Sequence, residues 1–235
     1  MNSKSITPVL LILVVVLNLP LIAGGPSTAL LFYPDAVLAG ELWRLISHPF
    51  VHVSLYHLLL DAGAFFLLWY SRPKPHGVHN DLILFLCCYA GSLGGGLLLQ
   101  GDLIAGQGFC GLSGIGHALM AYQGVGWAVN RELDGVTRKL GWAMVLMVAG
   151  KSVLELSMGG VLFGSLHLGA IGIPVTACHA GGVAGGIAAG LLATVRPAVH
   201  NVLHPRQSSP RVMMLSYGCE GAFCGRWQNS SRSTR

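Results

Sequence analysis

The stretch Thr176-Ala-Cys-His-Ala-Gly-Gly-Val-Ala-Gly-Gly-Ile-Ala-Ala-Gly-Leu-Leu192 sets Gly182, Gly186 and Gly190 four residues apart, with Gly181 and Gly185 beside them. On a helix of 3.6 residues per turn this recurrence strips one face of side chains, so that another backbone can approach closely, as small residues allow between helices in a bilayer. No Asp, Glu, Lys or Arg interrupts the chain from Leu156 to Val195. Charge-free stretches also run from Ser5 to Pro34, Leu82 to Gly101 and Leu103 to Asn130. A membrane span needs about 20 apolar residues, so each is long enough to supply one.

Composition agrees. The chain is 53% hydrophobic and only 10% charged, with a mean hydropathy of +0.63, where a soluble domain carries about a quarter charged residues. The expected fold class is therefore an all-α polytopic membrane protein. Apolar runs predict six spans, at about 6–24, 54–70, 81–100, 112–129, 139–158 and 174–195. Between the first two lies a long connection, 25–53, holding Pro26, Pro34, Pro49 and the pair Trp43-Arg44. It reads as a structured loop lying partly in the interface. Residues 1–195 form the expected membrane domain. From Arg196 to Arg235 the chain turns polar and basic, reading as a flexible tail against anionic headgroups. This modest charge adjoins a span, which argues against a nucleic-acid partner.

Basic residues orient the spans. Twelve of the fourteen Lys and Arg fall on one side of the six-span arrangement, the exceptions being Arg44 in the first loop and Lys151 in span five. Both termini are expected to be cytoplasmic. The first span is expected to be retained, because Pro20 and Ala23-Gly24-Gly25 make a poor signal-cleavage site.

Two residues stand out at the non-cytoplasmic heads of spans. Ser113 lies in Gly111-Leu-Ser-Gly114 at the start of span four, and His179 opens span six. A serine hydroxyl is a weak nucleophile until a base takes its proton, so this pair is the minimum machinery for acyl transfer. A helix beginning at Ser113 would put the Ser113 N–H in its first turn, where donors without helical partners favour an oxyanion. Gly101, Gly106, Gly108 and Gly111 are expected to let the preceding chain loop inward. Gly114 and Ala118 would match the bare face of span six and bring the two heads together.

With these residues in view, the chain resembles the rhomboid family of intramembrane serine proteases over most of residues 40–195. The shared motifs are Trp43-Arg44, the run from His48 through His52 and His57 to Asp61, Gly111-Leu-Ser113-Gly114, and His179 with Gly182 and Gly186. The resemblance implies a six-helix rhomboid fold. It implies that Ser113 is the nucleophile and His179 the base, a dyad without an acidic third member, and that the enzyme passes through an acyl-enzyme on a membrane-anchored protein substrate in the lipid bilayer. No cofactor or metal is implied. His57 matches the oxyanion-hole histidine. Asp61 stands where the family usually has asparagine, and an ionised carboxylate accepts hydrogen bonds but donates none. Either Asp61 is protonated, or it orients His57 while the Ser113 N–H and His57 form the hole.

His117, one turn after Ser113, occupies a position where many rhomboids place a tyrosine, and is expected to hold the ring of His179. His48 and His52 are expected to hydrogen-bond within the loop. A zinc site built from His48, His52 and His57 is disfavoured, since the chain lacks His-Glu-x-x-His. Lys151 and Glu155, one turn apart in span five, read as a structural ion pair. Cys110 and Cys178 read as separate thiols, the alternative being a disulfide that clamps the site from the non-cytoplasmic side, and the Cys219 and Cys224 pair is weak grounds for a metal. Within the family, Gly-Leu-Ser-Gly followed by His117, and Lys151 with Glu155, resemble the rhombosortase subgroup. That subgroup implies a bacterial inner-membrane enzyme cleaving C-terminal anchors of the GlyGly-CTERM type. The alternative is a non-catalytic rhomboid-like protein that binds transmembrane clients.

Overall fold

The computed structural model describes the backbone of residues 5–72 and 77–203, with side chains as far as residue 193. Among these residues six helices have 11 residues or more: α1 (Thr7–Leu17), α2 (Leu55–Ser71), α3 (Val78–Gln107), α4 (Ser113–Val129), α5 (Gly135–Met158) and α6 (Ala177–Leu203). By length and composition α3 and α5 can each cross a membrane, and Arg44–Phe50 with α2 qualify together as a pair bent by 94°. Thr7–Ala23 and Ala177–Ala193 are shorter apolar helices. Leu59, Leu67, Leu98 and Leu146 point outward. An apolar exterior around helices whose backbone bonds are met internally suits lipid, and the chain is a membrane protein.

Local chemistry sets the boundaries. Pro20 has no N–H to extend α1, which stops at Asn18 and continues as a 3-10 helix over Leu19–Ala23. Ser54 caps α2 by accepting from the His57 N–H, and Asp134 caps α5 by accepting from the N–H groups of Val136 and Thr137. Gly159, at φ 64°, ends α5 in the left-handed conformation.

Two expectations are corrected. The third helix breaks at Gln100, near its expected end, and a second helical segment continues to Gln107, taking in Gly101 and Gly106, which were expected to loop inward. Glycine is tolerated there at about 1 kcal/mol relative to alanine. The positive φ needed for the inward turn occurs only at Gly108 (79°) and Gly111 (107°). The last helix continues past residue 195 to Leu203, so the first residues of the expected flexible tail are helical. The remainder of that tail, 204–235, including Cys219 and Cys224, lies outside the described residues.

The bare faces of α6 do what their spacing suggests. A Cβ on Gly182 would meet the carbonyl oxygen of Gly114, and one on Gly186 the carbonyl oxygen of Ala118. The neighbouring face, Gly181 and Gly185, lies against Gly91 and Gly95 of α3. Thus α6 is wedged between α3 and α4 at backbone contact. Around α2 the core is aromatic: Phe65 stacks on Trp69 at 5.5 Å, and Phe85 from α3 meets both.

The first loop is ordered by its own polar groups. Arg44 donates to the carbonyls of Thr28 and Leu31 at 2.7 and 2.6 Å and pairs with Glu41. Ser47 donates to the Leu30 carbonyl. Asn18, which sequence reading did not single out, ties the loop to α1. Its amide donates to Val14 O at 2.7 Å and Phe50 O at 2.6 Å, and its oxygen accepts from the His52 N–H at 2.9 Å. Asn18 is buried, so Asn18→Ala strands three polar groups and is expected to cost about 3 kcal/mol, at roughly 1 kcal/mol per lost bond. A lower melting temperature together with faster proteolysis between residues 25 and 53 is the expected readout.

Candidate active site

The chain between α3 and α4 turns through Gly108 and Gly111 and is pinned to the first loop. Phe32 and Phe109 exchange both backbone bonds, at 3.0 and 2.9 Å, and the Gly111 N–H reaches the His48 carbonyl at 3.1 Å. This fixes the start of α4 at Ser113. As the first helical residue, Ser113 has no carbonyl four residues back to bond its own N–H.

The head of α6 is fixed from the other side. Gln100, at the kink in α3 (φ −138°, ψ 34°), turns its side chain to α6 and accepts from the Ala177 N–H at 2.9 Å. The kink therefore has a use: it delivers the cap that sets where α6, and with it His179, begins. Sequence reading missed Gln100 as well.

With both heads placed, Ser113 Oγ lies 3.1 Å from His179 Nε2. His179 is buried, and its ring stacks on His117 at 4.1 Å between centroids and 9° between planes. His117 Nδ1 reaches the Ser113 carbonyl at 2.7 Å, and its Nε2 lies 2.9 Å from Lys151 Nζ. An ammonium only donates, so His117 Nε2 is the acceptor and Nδ1 carries the hydrogen.

Lys151 and Glu155 pair at 2.6 Å, but the sequence reading of them as a structural ion pair is incomplete. Glu155 is fully buried. One of its oxygens takes the Lys151 ammonium and the Leu162 N–H; the other lies 2.7 Å from His179 Nδ1. The resemblance implies a dyad without an acidic third member; the packing of α5 against α6 nonetheless brings a carboxylate to the far side of the imidazole.

His57 and Asp61 flank the serine turn. A side chain on Gly111 would meet Asp61 Oδ2 and the His57 ring. His57 Nε2 lies 3.1 Å from Asp61 Oδ2, and the Val53 N–H points at His57 Nδ1 from 3.5 Å. The Val53 contact leaves the hydrogen on Nε2, which faces Asp61 Oδ2 as a close polar contact rather than an aligned hydrogen bond. His52, buried, packs edge-on against His57 and lies 3.7 Å from the same carboxylate. His48 bonds to the Arg44 carbonyl within an aromatic cage of Phe32, Tyr89 and Phe109. Of the three histidines weighed as a zinc set, His48 turns away to the Arg44 carbonyl, while His52 and His57 share the Asp61 carboxylate. Instead, His117, Glu155 and His179 have ligand atoms all within 4.8 Å. Metal ligation uses the in-plane lone pair of each imidazole, and two nearly parallel rings cannot share one in-plane point; Lys151 also occupies His117 Nε2. Hydrogen bonding rather than coordination suits this trio. Cys110 and Cys178 are free thiols, and Cys178 Sγ lies 4.0 Å from Ser113 Oγ.

A cavity of about 360 Å³ opens onto Ser113, His179, His57, Asp61 and Lys151. The chain between α5 and α6 closes one side of it, held to α2 by Ser54 donating to the Ala170 carbonyl and by the Leu168 N–H donating to the Tyr56 hydroxyl. The Ser113 hydroxyl, the His179 imidazole and the N-terminus of α4 thus share one partly enclosed space.

A Rhomboid domain matches residues 39–196. The chain is 31% identical over 93 residues to the rhomboid protease GlpG of Haemophilus influenzae, covering 40% of this chain and 46% of that protein. It is 34% identical over 82 residues to the rhomboid protease GlpG of Yersinia pestis (strain Pestoides F), covering 35% of this chain and 28% of that one. The matched parts are thus less than half the length of those relatives. A match across so much of the chain, with Ser113 and His179 meeting inside it, means that the chain belongs to the rhomboid family.

Proposed function

We propose that the protein is an intramembrane serine endopeptidase that cleaves transmembrane or C-terminal anchor segments of other membrane proteins. The observation that carries this reading is the 3.1 Å approach of Ser113 Oγ to His179 Nε2. His179 Nε2 takes the hydroxyl proton as Oγ bonds to the scissile carbonyl carbon. The carbonyl oxygen, now negative, falls at the head of α4, where the Ser113 N–H is available to it. His179 then gives its proton to the leaving amine as the C–N bond breaks, and water releases the acyl-enzyme by the same steps reversed. His57 contributes to the oxyanion hole once its ring turns from Asp61; in the resting geometry Asp61 orients it. His117 backs the imidazole, while Gly111, Gly114, Gly182 and Gly186 permit the approach of the two helix heads.

The same reading takes α1 to α6 as six spans with both termini cytoplasmic. Arg131, Arg138 and Lys139 lie at the opposite ends of the helices from Ser113 and His179, so the site faces the non-cytoplasmic side of a bacterial inner membrane. Within the family, Lys151, Glu155 and His117 around the dyad support the rhombosortase subgroup and substrates ending in GlyGly-CTERM anchors. The deciding experiment is fluorophosphonate labelling of the full chain in detergent. Labelling mapped to Ser113 supports the protease. A folded protein that stays unlabelled, beside a known rhomboid that labels, would make client binding without catalysis the better reading.

A further inference from the structure

We propose that Glu155 is the acidic third member of a Ser113–His179–Glu155 triad, a positioning residue that makes this chain depart from the two-residue pattern its sequence suggests. The inference rests on the protease reading and deepens it.

A neutral imidazole carries one hydrogen, and only one placement serves Ser113. Nε2 must be bare to accept from Oγ, so the hydrogen must sit on Nδ1. Glu155 Oε2, 2.7 Å from Nδ1, accepts that hydrogen and so selects the useful tautomer. The carboxylate is itself held from two directions, by Lys151 Nζ at 2.6 Å and the Leu162 N–H at 2.8 Å on its other oxygen. Its freedom to turn from His179 is therefore small. Lys151 also binds His117, which stacks on His179 and bonds the Ser113 carbonyl. The network is closed: each ring is fixed by a partner that is fixed in turn.

During acylation His179 gains the Ser113 proton on Nε2 and becomes an imidazolium. Glu155 faces this charge across a buried contact and keeps its hydrogen bond to Nδ1; the proton stays on the ring until the leaving amine takes it. An ion pair needed only for folding would have no reason to engage His179 with its second oxygen. A helix-surface pair one turn apart would also not be fully buried at the carboxylate.

The test uses the full chain in detergent, with Glu155→Gln, Glu155→Asp and the double variant Lys151→Met with Glu155→Gln. The readouts are the rate of fluorophosphonate labelling at Ser113, the melting temperature, and nitrogen-15 NMR of the His179 ring. Glutamine can turn its NH₂ towards Nδ1 and so favour the wrong tautomer; labelling is expected to fall about 10²- to 10⁴-fold, as loss of general-base orientation does elsewhere. Aspartate keeps the charge and is expected to recover part of the rate. The double variant removes both charges and is expected to regain stability while labelling stays slow. In wild type the ring should show hydrogen on Nδ1 and a bare Nε2, a pattern lost in Glu155→Gln.

Wild-type labelling by Glu155→Gln, or full recovery of rate by the double variant, would reduce Glu155 to an ion-pair partner. Should wild type itself fail to label, the protease reading fails, while the NMR pattern still decides whether Glu155 sets the His179 tautomer. That spectrum also decides the matter if every Glu155 variant fails to fold.

Discussion

His179→Ala is expected to slow fluorophosphonate labelling of Ser113 by about 10³-fold or more, and Ser113→Ala to abolish it. The magnitude follows from what the imidazole does. At neutral pH a serine hydroxyl is almost wholly protonated, and the only base within reach of Ser113 Oγ among the described side chains is His179 Nε2, at 3.1 Å. Without it the proton must leave to water, a far weaker base that is not held in place beside Oγ. A 10³-fold loss corresponds to about 4 kcal/mol of transition-state stabilisation. Alanine suits a helix better than any other residue, so the backbone of α6 does not suffer. The Glu155 oxygen that loses its Nδ1 partner keeps the carboxylate anchored through Lys151 and Leu162. Melting temperature and labelling rate are therefore expected to separate: a small change in the first and a large one in the second. A His179→Ala variant that labels as fast as wild type would show that Ser113 is activated by another group or is not the labelled residue.

The pair was legible in the sequence because each member announces its setting locally. Ser113 follows Gly111 at the start of an apolar run, and His179 precedes a four-residue glycine period; helix starts and bare faces are short-range properties. Glu155 was visible only as half of a pair with Lys151, since the third partner lies 24 residues away on a different helix. No spacing rule links positions 155 and 179; the packing of α5 against α6 does. The same holds for Asn18, whose partner His52 is 34 residues on, and for Gln100, which reaches Ala177 across 77. Gly101 and Gly106 misled in the other direction. Glycine marks a turn only where φ must be positive, and a sequence does not say which glycines those are.

The second large effect lies in the backbone contact that unites the site. Gly186→Val is expected to destabilise the protein severely and to cut labelling by more than 10²-fold, although residue 186 is two turns below His179. A Cβ there would overlap the Ala118 carbonyl oxygen, and valine adds two further carbons. Overpacking a core costs about 1–3 kcal/mol, and more when the obstacle is backbone and cannot rotate aside. Nor can α6 move away, because its other face holds Gly181 and Gly185 against Gly91 and Gly95 of α3. The remaining relief is for α4 and α6 to part. Separation of about 1 Å would carry Ser113 Oγ beyond hydrogen-bond reach of His179, and misplacement on that scale costs about 10²-fold in rate. Gly150 on α5 provides the contrast: a Cβ there would meet nothing within 4 Å, so Gly150→Val should melt and label almost as wild type does. If Gly186→Val matched Gly150→Val in both measurements, close approach of α4 and α6 could not be what joins serine to histidine.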